Sequence, residues 1–143
     1  MRTSLAGREA ITLREGEELE AYQDGGGVWT IGVGHTRGVY KGQKITQAQS
    51  QKFLQEDLAL AENAVNLFVI VPLNQNMFDA LVSLVFNIGV GAFQKSTLVK
   101  LLNMGLYKDA ANEFPRWNKD NGKVVDGLTN RRLSEQKQFL TPE

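Results

Sequence analysis

Three residues in one stretch could carry acid–base chemistry: Glu15, Asp24 nine positions later, and Thr30 six positions beyond that. Hydrolysis of a glycosidic bond needs a carboxylic acid to protonate the leaving oxygen. It also needs a carboxylate across the sugar to activate water or attack the anomeric carbon. Gly25-Gly26-Gly27 lies between Asp24 and Thr30, and a chain that leaves a helix and doubles back through such a turn brings the two acids within reach of one substrate. The spacing leaves open whether the gap is the short retaining one or the longer inverting one. The acid that keeps its proton must be the more shielded carboxyl, so Glu15 is expected to be the more buried and Asp24, among glycines, the more solvated and ionised. Thr30, on the returning strand, could hold a water against Asp24. Taken alone, two carboxylates at this spacing read first as solvated charges, and the neighbouring Glu17, Glu18 and Glu20 are assigned to the exposed face.

The elements that must position these groups follow from local signals. Ala6, Ala10 and Leu13 keep helical spacing after Ser4 as cap, and Gly16 stops that helix just after Glu15. From Leu19 to about Lys44 the period changes, and Val28-Trp29-Thr30-Ile31-Gly32-Val33 is rich in β-branched and aromatic residues, so a small hairpin or three-stranded sheet is expected. Thr46-Gln47-Ala48-Gln49 has the form of a capping box, and Leu54, Leu58, Ala61, Val65 and Phe68 recur at helical intervals up to Pro72. A helix over about 46–68 would span roughly 30 Å and bridge two lobes. Beyond Pro72 every signal is helical: Asn74 caps a helix that Gly89 stops, and Ser96 or Thr97 caps one that Gly105 stops. A shorter helix over Tyr107–Phe114 ends at Pro115, and a last one covers Thr129 to Leu140. The reading is α+β within one domain, 1–143: a sheet lobe over about 16–45, a connecting helix, and a helical lobe over about 73–143 joined by an N-terminal helix over about 4–15.

Composition narrows the function classes. The absence of cysteine excludes disulfides, a thiolate nucleophile and Cys-ligated metal. Sixteen basic residues balance sixteen acidic ones, whereas nucleic-acid binders carry a basic excess because their affinity is mostly phosphate neutralisation. No nucleic-acid partner is expected. The N-terminus shows no apolar run of signal-peptide length, and no membrane insertion is expected; synthesis in the cytosol fits, with passage of the membrane left to another agent. No Walker-type loop or metal-spaced His/Cys set is present, and Gly32-Val33-Gly34 lacks the context of a dinucleotide site, so neither metal nor cofactor is expected.

The segment from Arg14 to Thr36, with Thr30-Ile31-Gly32-Val33-Gly34-His35 at its heart, resembles the active-site hairpin of the phage-type lysozymes, the endolysins of tailed bacteriophages (glycoside hydrolase family 24). Their signature is Glu, eight residues, Asp, five residues, Thr, and all three positions match here. Val71-Pro72-Leu73-Asn74-Gln75-Asn76, Phe86-Asn87-Ile88-Gly89, Phe93-Gln94-Lys95-Ser96-Thr97-Leu98, Arg116-Trp117 and Gly127-Leu128-Thr129-Asn130-Arg131-Arg132 extend the likeness over nearly the whole chain. The resemblance implies a mainly helical lysozyme-like fold with a cleft between its lobes. It also implies a monomeric muramidase that cleaves the β-1,4 bond between N-acetylmuramic acid and N-acetylglucosamine in peptidoglycan, lysing the wall once the membrane has been breached. Glu15 would be the proton donor, Asp24 its partner, and Thr30 the residue that positions water.

Further positions carry over from the same likeness. Arg131 matches an arginine that pairs with the catalytic acid. His35, the only histidine, matches one that pairs with an aspartate of the long helix, here Asp57, in a structural role. Phe86, Ser96 and Asn112 match positions lining the saccharide cleft, and Thr36 stands where the family often has an apolar cleft residue. Trp29 and Trp117 are candidates for sugar stacking, with core packing the plainer reading for Trp117. Two competing functions keep the same fold: a lytic transglycosylase, in which Glu15 acts alone and the products are anhydro sugars, and an inactive saccharide-binding paralogue.

Overall fold

The computed structural model describes residues 1–143 and divides into two compact units, one of residues 8–59 and one of residues 1–7 with 60–143. The first helix, α1 (Leu5–Glu15), starts in the larger unit and ends in the smaller. Ser4 Oγ accepts the Gly7 N–H at 3.0 Å, and Gly16, at φ +82°, returns its N–H to Thr12 C=O at 2.8 Å. Both ends are therefore capped as their residue types predict. The buried positions of α1 do not coincide with the helical spacing of Ala6, Ala10 and Leu13. Leu13 is 87% exposed, while Gly7 and Ile11 are buried. Gly7 is shielded because Asp79 stands against it, and a Cβ there would lie 2.5 Å from the Asp79 carboxyl carbon.

In the smaller unit β1 (Glu18–Gln23) and β2 (Trp29–Gly32) form an antiparallel hairpin with Tyr22 opposite Thr30 and Gln23 opposite Trp29. Ala21 N–H to Gln43 C=O and Ile45 N–H to Leu19 C=O, each 2.9 Å, pair the other edge of β1 with residues 43–45. A second tight reversal follows β2, closed by reciprocal 2.9 Å bonds between Ile31 and His35, with Gly32 and Gly34 at φ +65° and +73°. Helix α2 (Gln47–Asp57) opens on the capping box: Thr46 and Gln49 each satisfy the other's backbone N–H. It packs against β2. The single helix expected over 46–68 is built as two, α2 and α3 (Ala59–Phe68), interrupted at Leu58. No Gly or Pro marks that interruption.

The larger unit is organised on α4 (Gln75–Ile88), which packs on α8 (Asp126–Leu140). Asn74 caps α4 by accepting the Met77 N–H at 2.8 Å, and Phe78 through Val85 are all buried. A helix enclosed on every side must satisfy its polar members internally. Asp79 accepts from the Ser4 N–H and hydroxyl and from Gln75, and Ser83 donates to Glu135. Short helices α5 (Val90–Gln94), α6 (Thr97–Asn103) and α7 (Tyr107–Ala111) lead to a 3-10 turn over Phe114–Arg116. The helix expected to run to Phe114 thus ends earlier, and Pro115 lies within the 3-10 turn. Between that turn and α8 stands a small hairpin, β3 (Lys119–Asp120) and β4 (Lys123–Val124). Its turn residues, Asn121 and Gly122, are at φ +51° and +77°, the Asn-Gly pairing such turns favour. No helix is long and apolar enough to cross a membrane.

Candidate active site

Glu15, Asp24 and Thr30 all lie in the smaller unit, on the end of α1, the hairpin turn and β2. The turn is built by Asp24 itself. Its C=O accepts the Gly27 N–H at 3.0 Å, and its N–H donates to Val28 C=O at 2.9 Å. Its Oδ1 accepts the N–H groups of Gly26 at 2.8 Å and Val28 at 2.9 Å. Gly27 takes φ +81° to complete the reversal, a conformation that glycine adopts without steric cost. The carboxylate of Asp24 is therefore held by one oxygen, while Oδ2 accepts no hydrogen bond from the protein and the residue is exposed.

Thr30 is 4% exposed, and its Oγ1 donates to Val28 C=O at 3.0 Å. The hydroxyl proton is thereby committed and its lone pairs are left as acceptors. Val28 is the common anchor: its N–H orients Asp24 and its C=O orients Thr30. No sequence signal identifies that role, because it is played by backbone atoms.

Glu15 is partly buried and Asp24 exposed, the order of shielding expected from the sequence. Both act on Tyr22, opposite Thr30 in the sheet register. Its phenol is held above its usual value of 10.0, first by desolvation and then by the carboxylates of Glu18, Glu15 and Asp24. One hydroxyl thus senses both acids.

His35 lies in the smaller unit beside Asp57. Its ring is 7% exposed, stacks on Phe53 at 4.2 Å with the planes 6° apart, and sets Nδ1 2.7 Å from Asp57 Oδ2. Arg37 adds a longer contact to Asp57 at 3.5 Å. Glu17 departs from its expected place on the exposed face. Its carboxylate accepts from Ser50 Oγ at 2.7 Å, Gln51 Nε2 at 3.1 Å and Gln47 Nε2 at 3.4 Å. The signal that could have revealed it is the row of donors Gln47, Ser50 and Gln51 on one face of α2.

The remaining candidates belong to the larger unit. Arg131 is 8% exposed and donates to Glu135 Oε2 and Ser83 C=O, each at 3.2 Å. It stands in the second turn of α8, since that helix begins at Asp126, three residues before the expected Thr129. Ser96 is buried and caps α6, accepting the Val99 N–H at 3.2 Å and donating to Phe93 C=O at 2.7 Å, which fills its hydroxyl with local work. Phe86 is half-buried on α4, and Asn112 is exposed at the end of α7; in the smaller unit Thr36 is exposed beside His35. Trp117 borders an open groove of about 660 Å³ with Asn87, Lys119, Leu128 and Arg132.

Against known proteins, residues 13–135 match the family described as phage lysozyme. An endolysin of Acyrthosiphon pisum secondary endosymbiont phage 1 is 46% identical over 143 residues, spanning 97% of this chain and 98% of that protein. Among solved structures, the muramidase domain of SpmX from Asticaccaulis excentricus superposes with a TM-score of 0.91 at 41% identity, covering 99% of each chain. A P22 lysozyme variant gives 0.91 at 42% identity, again covering 99% of each.

Proposed function

The chain belongs to the phage lysozyme family, and from that premise we propose that Glu15, Asp24 and Thr30 carry out its hydrolysis of the peptidoglycan glycan strand. The protein is a peptidoglycan muramidase of the endolysin type. Glu15 donates the proton to the leaving glycosidic oxygen, as the more shielded of the two carboxyls should. Asp24 Oδ2 and Thr30 Oγ1 accept hydrogen bonds from the two O–H groups of a water molecule. As its oxygen attacks the anomeric carbon and the bond to the protonated leaving oxygen breaks, one proton passes to Asp24 and the other stays on the new hydroxyl. The observation that carries this reading is the shared anchor on Val28, which commits Asp24 Oδ1 and the Thr30 proton and leaves one acceptor on each side chain. A water held by two acceptors favours direct displacement over a covalent intermediate, with inversion at the anomeric carbon.

Arg131 is held by Glu135 within the larger unit, and His35 with Asp57 braces the turn that follows β2. Phe86, Asn112 and Thr36 are available for saccharide contact. The enzyme acts as a monomer and needs no cofactor. The experiment is hydrolysis of purified peptidoglycan by wild type and Glu15→Gln, with proton NMR of the first product. The expected result is a loss of at least about a hundredfold in Glu15→Gln and an α-anomer as first product from the β-linked substrate. A β-anomer would replace the water route with a covalent one, and an anhydro product would assign the chemistry to a transglycosylase.

A further inference from the structure

Glu17 has work that the catalytic assignment does not use. It follows Glu15 by two residues, across the Gly16 corner that ends α1. Three side chains from one face of α2 converge on its carboxylate: Ser50 and Gln51 on Oε2, and Gln47 on Oε1. The contact with Ser50 is the shortest, at 2.7 Å, and Ser50 is fully buried. Gln51 also donates to Thr12 Oγ1 at 3.2 Å, and the Thr12 C=O accepts the Gly16 N–H at 2.8 Å. The last turn of α1 and the residues just beyond it are thus tied to α2 on both sides of Glu15.

Ser50 reaches the other half of the site as well. A Cβ at Gly32 would stand 2.9 Å from Ser50 Oγ, so β2 lies directly on this hydroxyl two residues beyond Thr30. Ser50 therefore contacts the strand that holds Thr30 while donating to the residue that follows the acid's corner. With a carboxylate at position 17, the three donors and their acceptor fix a separation. A glutamine there loses the charge and can offer its oxygen to only part of this donor set, meeting the rest donor to donor, and the corner is free to shift.

We infer that Glu17 is a positioning residue, which through Ser50 and Gln51 sets the distance between Glu15 on one side and Thr30 with Asp24 on the other. The inference rests on the roles proposed above for those three residues. It concerns only where they stand, not what touches the sugar.

The test uses the full chain, with steady-state kinetics on soluble glycan strands well below the melting temperature. The variants are Glu17→Gln, Ser50→Ala, Gln51→Ala and the double variant Glu17→Gln/Ser50→Ala, with Glu15→Gln alongside. A displacement of the acid should lower kcat by about ten- to a hundredfold in Glu17→Gln, less in Gln51→Ala, with KM within about twofold of wild type because binding is not the step affected. The double variant should lose little more than its worse single, since both remove one link. Gln51→Ala, only partly buried, serves if Glu17→Gln fails to fold. A kcat within about twofold of wild type in Glu17→Gln and Gln51→Ala, with only the melting temperature lowered, overturns the inference and makes Glu17 a strut. Full turnover in Glu15→Gln instead overturns the assignment of the acid, and the positioning argument with it.

Discussion

The two oxygens of Asp24 do different jobs, and a pair of substitutions separates them. In Asp24→Asn the amide oxygen can keep accepting the N–H groups of Gly26 and Val28, which are 2.8 and 2.9 Å from Oδ1. The amide nitrogen then replaces Oδ2 and presents a donor where the proposed mechanism requires an acceptor. In Asp24→Ala both are gone. Hydrogen bonds to a charged acceptor contribute about 1.5–3 kcal/mol and neutral ones about 0.5–1.5, but the residue is exposed and solvent screens the difference. Asp24→Asn should therefore cost about 1 kcal/mol or less, and Asp24→Ala about 1–2 kcal/mol, in line with removal of a side-chain cap. For a chain near 150 residues these correspond to shifts in Tm of roughly 2–4 °C per kcal/mol. Catalysis should not follow that order. Loss of a general base removes about a hundred- to ten-thousandfold, so both variants should be nearly inactive. Tm by calorimetry and reducing-end release from purified peptidoglycan measure the two effects independently. If Asp24→Asn keeps a tenth or more of the wild-type rate, the role given to Oδ2 is wrong. If it melts as early as Asp24→Ala, the turn does not depend on Oδ1.

Replacing His35 by Asn removes the ring stacked on Phe53 and the partner of Asp57; stability should fall by about 2–4 kcal/mol with kcat nearly kept, and a lost turnover at unchanged Tm would refute the structural role. Glu135→Gln removes the buried carboxylate that Arg132 Nε approaches at 2.7 Å and Arg131 Nε at 3.2 Å. It should cost about 3–5 kcal/mol, or roughly 10 °C or more in Tm, read by thermal denaturation; a shift under about 2 °C would refute it. Tyr22, raised above 10.0 in the folded chain, ionises first in the unfolded chain, so its contribution to stability is present below about pH 10 and is lost as pH rises through the folded value. Denaturant midpoints from pH 9 to 11.5 should fall more steeply for wild type than for Tyr22→Phe, and parallel curves would show that folding does not raise the phenol.

What could be read from the sequence was what local chemistry dictates. Gly16 ends α1, the Thr46/Gln49 box opens α2, Asn74 and Ser96 cap their helices, and the glycines at 25–27 turn the hairpin. Each is decided by a few adjacent atoms. Burial was less legible because it depends on partners far along the chain. Leu13 continues the helical spacing of α1 yet faces solvent, while Gly7 is buried by Asp79, more than seventy positions away. Glu135 and Arg132 look like solvated helix charges, but packing of α8 on α4 places them in the interior, where they neutralise one another and Ser83 completes the network. The Asn121-Gly122 turn was locally visible and points to the β3–β4 hairpin that the all-helical reading of that region left out.

The active-site stretch combines both cases, and this bears on how the chemistry is specified. Types and spacing of Glu15, Asp24 and Thr30 are enough to suggest acid–base work. They do not say which oxygen of Asp24 is available or whether the Thr30 hydroxyl donates or accepts. Those choices are made by the Val28 peptide groups, so any side chain at 28 that keeps the strand should leave them intact. A displaced Val28 backbone would remove both acceptors from the water together. On the roles proposed for these residues, the hairpin turn is part of the catalytic arrangement rather than a link between its members. Its conformation depends on Asp24, whose Oδ1 holds the Gly26 and Val28 N–H groups in the turn that also carries the Val28 carbonyl bound by Thr30.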